Sequence, residues 1–221
     1  MYTNQENYRI TQETLRPFNA TLVAVSKTKP VQAIEELYRL GHRDFGENYV
    51  QELVEKQAQL PPDIRWHFVG HLQSNKVKFI APFVHLIHGI DSLKLLSEVN
   101  KQAQKVHRVI DVLLQVHIAR EETKYGFDET ELAAATAASL LHALPHVCIK
   151  GLMGMASFSD DEGLVQSEFR KLKQLFDRIS ETQIANLRPG ILSMGMSGDY
   201  RMALSEGSTM VRIGSSIFGS R

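Results

Sequence analysis

The chain has 221 residues, 43% hydrophobic and 23% charged, the balance of an ordinary globular protein. Lys+Arg and Asp+Glu both number 25, so no net charge gathers nucleic acid or anionic lipid, and any anion site must be built locally. Cys148 is the only cysteine, which excludes an internal disulfide, and no apolar stretch approaches the ~20 residues that span a bilayer. The polar start, Met1 to Asn7, lacks the order of a signal peptide. The expectation is a cytoplasmic protein without nucleic-acid or membrane partners, with Cys148 as a small buried hydrophobe.

Residues 3–18 read as a leading helix. Thr21 to Ser26 is short, apolar and β-branched, a first strand, and Pro30 opens a helical stretch ending near Gly41. Arg43 to Gly46 is a second strand, followed by a helix with Val50, Leu53, Val54 and Gln57 on related faces. Arg65–Gly70 and Leu86–Ile90 are the third and fourth strands, and Asp91-Ser92 caps a helix bearing Leu95, Leu96, Val99, Ala103 and Val106. Val109 to Ile118 is almost continuously apolar, as a strand buried on both faces must be. An Ala-rich helix over Leu132 to Leu141 and a sixth strand over Val147 to Met155 follow. Val165, Phe169, Leu172, Phe176 and Ile179 then mark the clearest amphipathic helix. Ile191 to Met194, a short helix over Asp199 to Leu204, and an eighth strand at Met210 to Ile213 complete the pattern.

Strands separated by helices imply right-handed parallel crossovers, in an open doubly wound sheet or a closed barrel. Eight units in this length favour the barrel. The expected fold is therefore α/β, a single (β/α)8 TIM barrel over residues 1–221 with an extra N-terminal helix.

Barrel chemistry sits where strands end, and phosphate is often held after strands seven and eight. Strand one runs into Ser26-Lys27-Thr28-Lys29, strand seven into Met194-Gly195-Met196-Ser197-Gly198, and strand eight into Arg212-Ile213-Gly214-Ser215-Ser216. Closure places strand eight beside strand one, so a lysine and two Gly/Ser turns converge. The glycines let backbone N–H groups approach an anion, and the serines add hydroxyl donors. A lysine ending a buried strand has its pKa lowered by desolvation, which favours the neutral amine that forms an imine. A phosphate cup with such a lysine is the minimal specification for pyridoxal 5′-phosphate (PLP). The plainer alternatives are a simple turn at Gly195 to Gly198 and a solvated loop lysine. Arg212, set between apolar neighbours, points inward by strand alternation and needs either a carboxylate, Glu47 or Glu206, or a ligand heteroatom.

Val25-Ser26-Lys27-Thr28-Lys29-Pro30, Phe45-Gly46-Glu47-Asn48, the block Trp66 to Lys76, Lys124-Tyr125-Gly126-Phe127, Gly151-Leu152-Met153, and Leu192 to Ser197 with Val211 to Ser215 resemble the PLP-homeostasis protein family, in order and spacing over nearly the whole chain. The resemblance implies a barrel similar to the N-terminal domain of alanine racemase, without that enzyme's β domain. It makes Lys27 the Schiff-base lysine and places Asn48 near the ring substituents. It sets Ser197, Gly214 and Ser215 on the phosphate, Arg212 at the pyridine nitrogen, and His67 and Met194 at the same mouth. The family commonly has threonine where this chain has Ser215; both carry the hydroxyl.

Arginine cannot accept a proton, so a ring nitrogen facing Arg212 stays unprotonated and the electron sink is weakened. No acid/base pair flanking a substrate is evident. The reading is a carrier or regulator in intracellular PLP homeostasis, a monomer with PLP-dependent apo-enzymes as recipients. A racemase using Lys27 with a tyrosine or His67, and a class I aldolase-type barrel with its imine at Lys27, are the rivals. The pairs His67/His71 and His85/His88 are read as surface or core histidines, not metal ligands. Trp66 is read as packing, and Lys76 and Lys78 as solvated charges.

Overall fold

In a computed structural model, which describes residues 2–121, 125–182 and 184–219, the strands β1 (Thr21–Val25), β2 (Asp44–Glu47), β3 (Arg65–Phe68), β4 (Leu86–Ile90), β5 (Ile110–Val116), β6 (Val147–Gly154), β7 (Leu187–Ser193) and β8 (Met210–Ile213) close into one parallel barrel in chain order. The barrel expectation holds, and the open sheet is excluded by the pairing of β1 with β8, Val23 opposite Arg212 and Ala24 opposite Ile213. The leading helix is α1 (Gln5–Leu15), capped by Asn4, whose side chain accepts from the Asn7 N–H. The connecting helices are α2 (Val31–Arg39), α3 (Val50–Gln57), α4 (Val77–Ile80), α5 (Leu93–Lys105), α6 (Glu129–Ala135), α7 (Ala138–His142), α8 (Glu162–Ser180), α9 (Tyr200–Ser205) and α10 (Ser215–Phe218).

The Ala-rich segment departs from expectation. It begins earlier, because Asp128 and Glu131 form a reciprocal capping box, and it breaks into α6 and α7. The Thr136 hydroxyl donates to the Leu132 carbonyl and Ala137 is extended, which ends the first piece. The one-turn helices α4 and α10 carry too few residues to show a period.

Alternation along the strands sorts the core into two. Outward residues such as Leu22, Ala24, Phe45, Trp66, Phe68, Ile87, Leu192, Val211 and Ile213 pack beneath the helices in one large cluster. Trp66 is packing, as expected. The inward cluster is small: Val23, Leu86, Leu113, Met153 and Met210, with Val69, Met155 and Ile191 against it. A (β/α)8 interior is ordinarily filled by branched apolar layers. Here buried Asp44, His67, His88, Ser193 and Arg212 share it. Cys148 is half-buried, less enclosed than its neighbours Val147 and Ile149, and burial pushes its thiol pKa up.

The β5–β6–β7 register shifts around Gly151, whose φ is +143° and whose added Cβ would lie 1.9 Å from the Ile191 carbonyl oxygen. Gly151→Ala is therefore expected to destabilise the fold by about 2–4 kcal/mol. Urea unfolding reads this directly, and an unchanged midpoint would show that the bulge relaxes freely.

Candidate functional site

The turn after β1 is clamped from its outer side. Ser26 Oγ donates to Glu47 Oε1 at 2.6 Å, and Lys56 Nζ donates to the Ser26 carbonyl (2.8 Å), Glu47 Oε1 (2.7 Å) and Glu52 Oε1 (2.7 Å). The Thr28 N–H donates to Glu52 Oε1 at 2.6 Å, with Thr28 held at φ +64°, a region that β-branched residues seldom adopt. Burial raises the Glu47 pKa to about 7 against the opposing pull of Lys56. With Ser26 locked outward, the next side chain, Lys27, is directed to the barrel mouth, where it is half-buried.

There it meets a cavity of about 350 Å³. Lys27, Asn48, Ser197, Arg212, Gly214 and Ser215 all line it. Glycines in the turns after β7 and β8 are required by close packing on α9 and β1. Gly195 has φ +95°, and a Cβ there would lie 2.7 Å from Ala203 Cβ. A Cβ on Gly214 would lie 3.0 Å from the Val25 carbonyl oxygen. The backbone N–H groups of Ser197 and Gly198, and those of Ser215 and Ser216 opening α10, have no acceptor among the described residues. A larger groove of about 750 Å³ lies against α1 and contains none of these six residues.

Arg212 is buried, and neither candidate carboxylate meets it: Glu47 pairs with Lys56 and Glu206 with Arg170. Its Nη1 donates to the Ser193 carbonyl (2.8 Å) and Oγ (2.6 Å), and Nη2 to the Gly154 carbonyl (3.1 Å). Burial lowers its pKa to about 10, which leaves it charged at neutral pH. Three of a guanidinium's five N–H groups are thereby engaged, and the other two have no acceptor among the described residues. Asn48 Oδ1 is also buried without a hydrogen-bond partner among the described residues.

Two expectations need correction. His67 does not line the mouth; its strand position puts it deeper in the barrel, where Nδ1 meets His88 Nε2 at 3.0 Å and Nε2 meets Asp44 Oδ1 at 3.1 Å. Met194 faces outward from the end of β7 and packs in the large core cluster. His88 is a core histidine, as expected, while His71 is exposed, has its Nδ1 3.0 Å from Asp91 Oδ2 and stacks on Tyr125. Lys124 lies outside the described residues. Among the described residues, no group of three His, Cys, Asp or Glu is placed to hold a metal, and no helix is long and apolar enough to cross a membrane. Sequence reading missed the Glu47–Lys56–Glu52 clamp and Ser193. Ser193 was open to detection by the same alternation that turned Arg212 inward.

A closed (β/α)8 barrel whose first strand delivers a lysine beside a Gly/Ser cup after the last two strands belongs to the class of barrels with their site at the strands' C-terminal ends. Residues 3–221 match the family described as alanine racemase, N-terminal domain. The pyridoxal phosphate homeostasis protein of Pasteurella multocida is 39% identical over 216 residues, covering 95% of this chain and 91% of its own. PipY of Synechococcus elongatus, 36% identical and aligned over 97% of this chain and 99% of its own, superimposes with a TM-score of 0.90 without PLP and 0.87 with PLP bound. Alanine racemase of Bartonella henselae, at 20% identity, shares the fold alone, with a TM-score of 0.71 over 94% of this chain and 56% of its own. The chain belongs to the alanine racemase N-terminal domain family, within its pyridoxal phosphate homeostasis proteins.

Buried ionisable groups make stability depend on pH. Burial lowers the pKa values of His67 and His88 and takes His42 down to about 4. A histidine with a depressed folded pKa contributes stability that is present above its ordinary 6.5 and lost as pH falls toward the folded value. Glu47, raised from 4.5 to about 7, acts in the opposite sense. Three imidazoles outweigh one carboxyl, so the urea midpoint should fall between pH 7 and pH 5. A midpoint that rises on acidification would contradict the buried neutral imidazoles.

Proposed function

We propose that the chain holds PLP reversibly at the mouth between β1 and β8 and serves PLP homeostasis as a carrier or regulator, not as an enzyme. The observation that carries this reading is the convergence of Lys27, the unpaired Gly/Ser N–H groups and Arg212 on one cavity of about 350 Å³. The naming of relatives as pyridoxal phosphate homeostasis proteins and the PLP-bound structure of PipY support it.

The residues present fit the cofactor. PLP supplies an aldehyde that condenses reversibly with a primary amine and a ring that can withdraw electrons. Lys27 offers the amine from a turn that its clamp keeps in place. Ser197, Gly214 and Ser215 offer hydroxyl and backbone donors to a phosphate dianion. Asn48, with its unsatisfied Oδ1, serves the ring substituents.

Arg212 decides between carrier and catalyst. It has only N–H donors, so it holds a facing ring nitrogen as an acceptor without a proton, which disfavours drawing a full carbanion into the ring. His67, the acid suggested for a racemase, is enclosed by His88 and Asp44 away from the cavity. A cytoplasmic monomer that passes PLP to PLP-dependent apo-enzymes completes the proposal.

Lys27→Ala is expected to abolish the borohydride-fixable adduct yet keep phosphate-anchored PLP binding, weakened by about one to two orders of magnitude. Equilibrium dialysis measures it, and complete loss of binding would show that the cup alone holds nothing. PLP-loaded protein incubated with single-enantiomer amino acids in deuterated water should show no α-proton exchange above free PLP. Exchange at enzymatic rates would overturn the carrier reading.

A further inference from the structure

One buried feature inside the barrel touches the cofactor site only at its end. Asp44, His67, His88, Ser193 and Arg212 stand on five different strands, β2, β3, β4, β7 and β8, and all are buried. Consecutive polar atoms are 3.1 Å (Asp44 Oδ1 to His67 Nε2), 3.0 Å (His67 Nδ1 to His88 Nε2), 3.1 Å (His88 Nδ1 to Ser193 Oγ) and 2.6 Å (Ser193 Oγ to Arg212 Nη1) apart. The string leaves the β2–β4 wall, crosses the lumen at His88, and ends on the arginine of the cavity.

Its two ends fix its direction. Despite burial, hydrogen bonds from Arg65 and His67 hold the Asp44 carboxyl well below the usual carboxylate range, so it is ionised and only accepts. Arg212 only donates. Every group between must accept on its Arg212 side and donate on its Asp44 side. His67 and His88 are therefore neutral with the proton on Nε2, and the Ser193 hydroxyl points at His88 Nδ1. Burial favours these neutral forms. The charged or titratable groups around the string are Arg65 and His42 at Asp44, His85 against the His67 ring at 5.4 Å, and Arg212 itself, which also feels the carboxylate of Asp199 in the turn after β7.

We propose that Asp44, His67, His88 and Ser193 are positioning residues for Arg212, a polarised relay through which a carboxylate on the far wall of the barrel sets how the guanidinium is oriented and how strongly it donates at the cavity. No proton moves along it. The relay supplies the anionic counterpart that Arg212 lacks in direct contact, and it leaves the guanidinium face toward the cavity clear. That the recipient is a ring nitrogen rests on the PLP reading; the relay itself does not.

Asp44→Asn is the discriminating change, because an amide oxygen still accepts from His67 while the charge is gone. A role confined to filling hydrogen bonds would leave the other end unmoved. In the chain without PLP, ¹⁵N spectra of the unsubstituted protein should show both His67 and His88 as Nε2–H tautomers, and Asp44→Asn should shift the His88 ring and Arg212 guanidinium resonances. With PLP added, Ser193→Ala should weaken binding about three- to tenfold and move the pH midpoint of the long-wavelength band. Ser193→Thr, which keeps the hydroxyl, should restore both. Circular dichroism establishes that each variant is folded, and the Ser193 pair decides if Asp44→Asn is not. An Nδ1–H tautomer at either histidine, or Arg212 resonances and a PLP band indifferent to both substitutions, would overturn the relay. A missing long-wavelength band in the unsubstituted protein would instead overturn the PLP reading, and the cofactor-free spectra would still decide the relay.

Discussion

The pairing of β8 against β1 is the constraint on which the site depends. Nearly 190 residues separate Lys27 from Gly214, and neither has a local reason to meet the other. Parallel closure sets Val23 opposite Arg212 and Ala24 opposite Ile213, and two residues further along the same direction the lysine turn stands over the glycine turn. The close approach of Gly214 to the Val25 carbonyl is a consequence of that register. Without closure, the lysine turn, the N–H cup and the β8 arginine would lie apart.

Closure alone would leave Lys27 on a mobile turn. The buried ion pair of Lys56 with Glu47, joined by Glu52, grips Ser26 and Thr28 on the outer side, so the lysine between them is directed inward. Buried ion pairs are weak contributors to stability, since desolvation offsets most of their attraction, but removing one partner is costly. Such a pair suits a role in fixing geometry. The same holds across the lumen. Two neutral imidazoles and a serine replace part of the apolar layering usual in this architecture. That loses hydrophobic stabilisation and gains a defined orientation for Arg212.

Much of this was legible from residue order. The strands were placed because β-branched runs alternate with helical periods, and boundaries moved by only a few residues. The cup and Lys27 were legible because barrels concentrate function at strand ends. Arg212 was legible from an apolar flank on either side. His67 went wrong because motif position does not report depth along a strand. Trp66 and Phe68 face the helices, so His67 must point inward, but one level below the cavity. Ser193 carries the same alternation, and His88 reads only as a surface or core histidine; a lone serine or histidine in a strand has many uses, so neither signals a chain leading to Arg212. The clamp was illegible because Lys56 lies on a helix whose polar residues ordinarily face solvent; only packing shows it buried beneath Ser26.

The proposed function stands on Lys27 as the covalent anchor for PLP. Reducing the PLP-loaded protein with borohydride and mapping the modified peptide by mass spectrometry tests it most directly. A single phosphopyridoxyl adduct on the peptide containing Lys27 is the expected result. An adduct on Lys29, Lys56 or another lysine, with Lys27 unmodified, would contradict it.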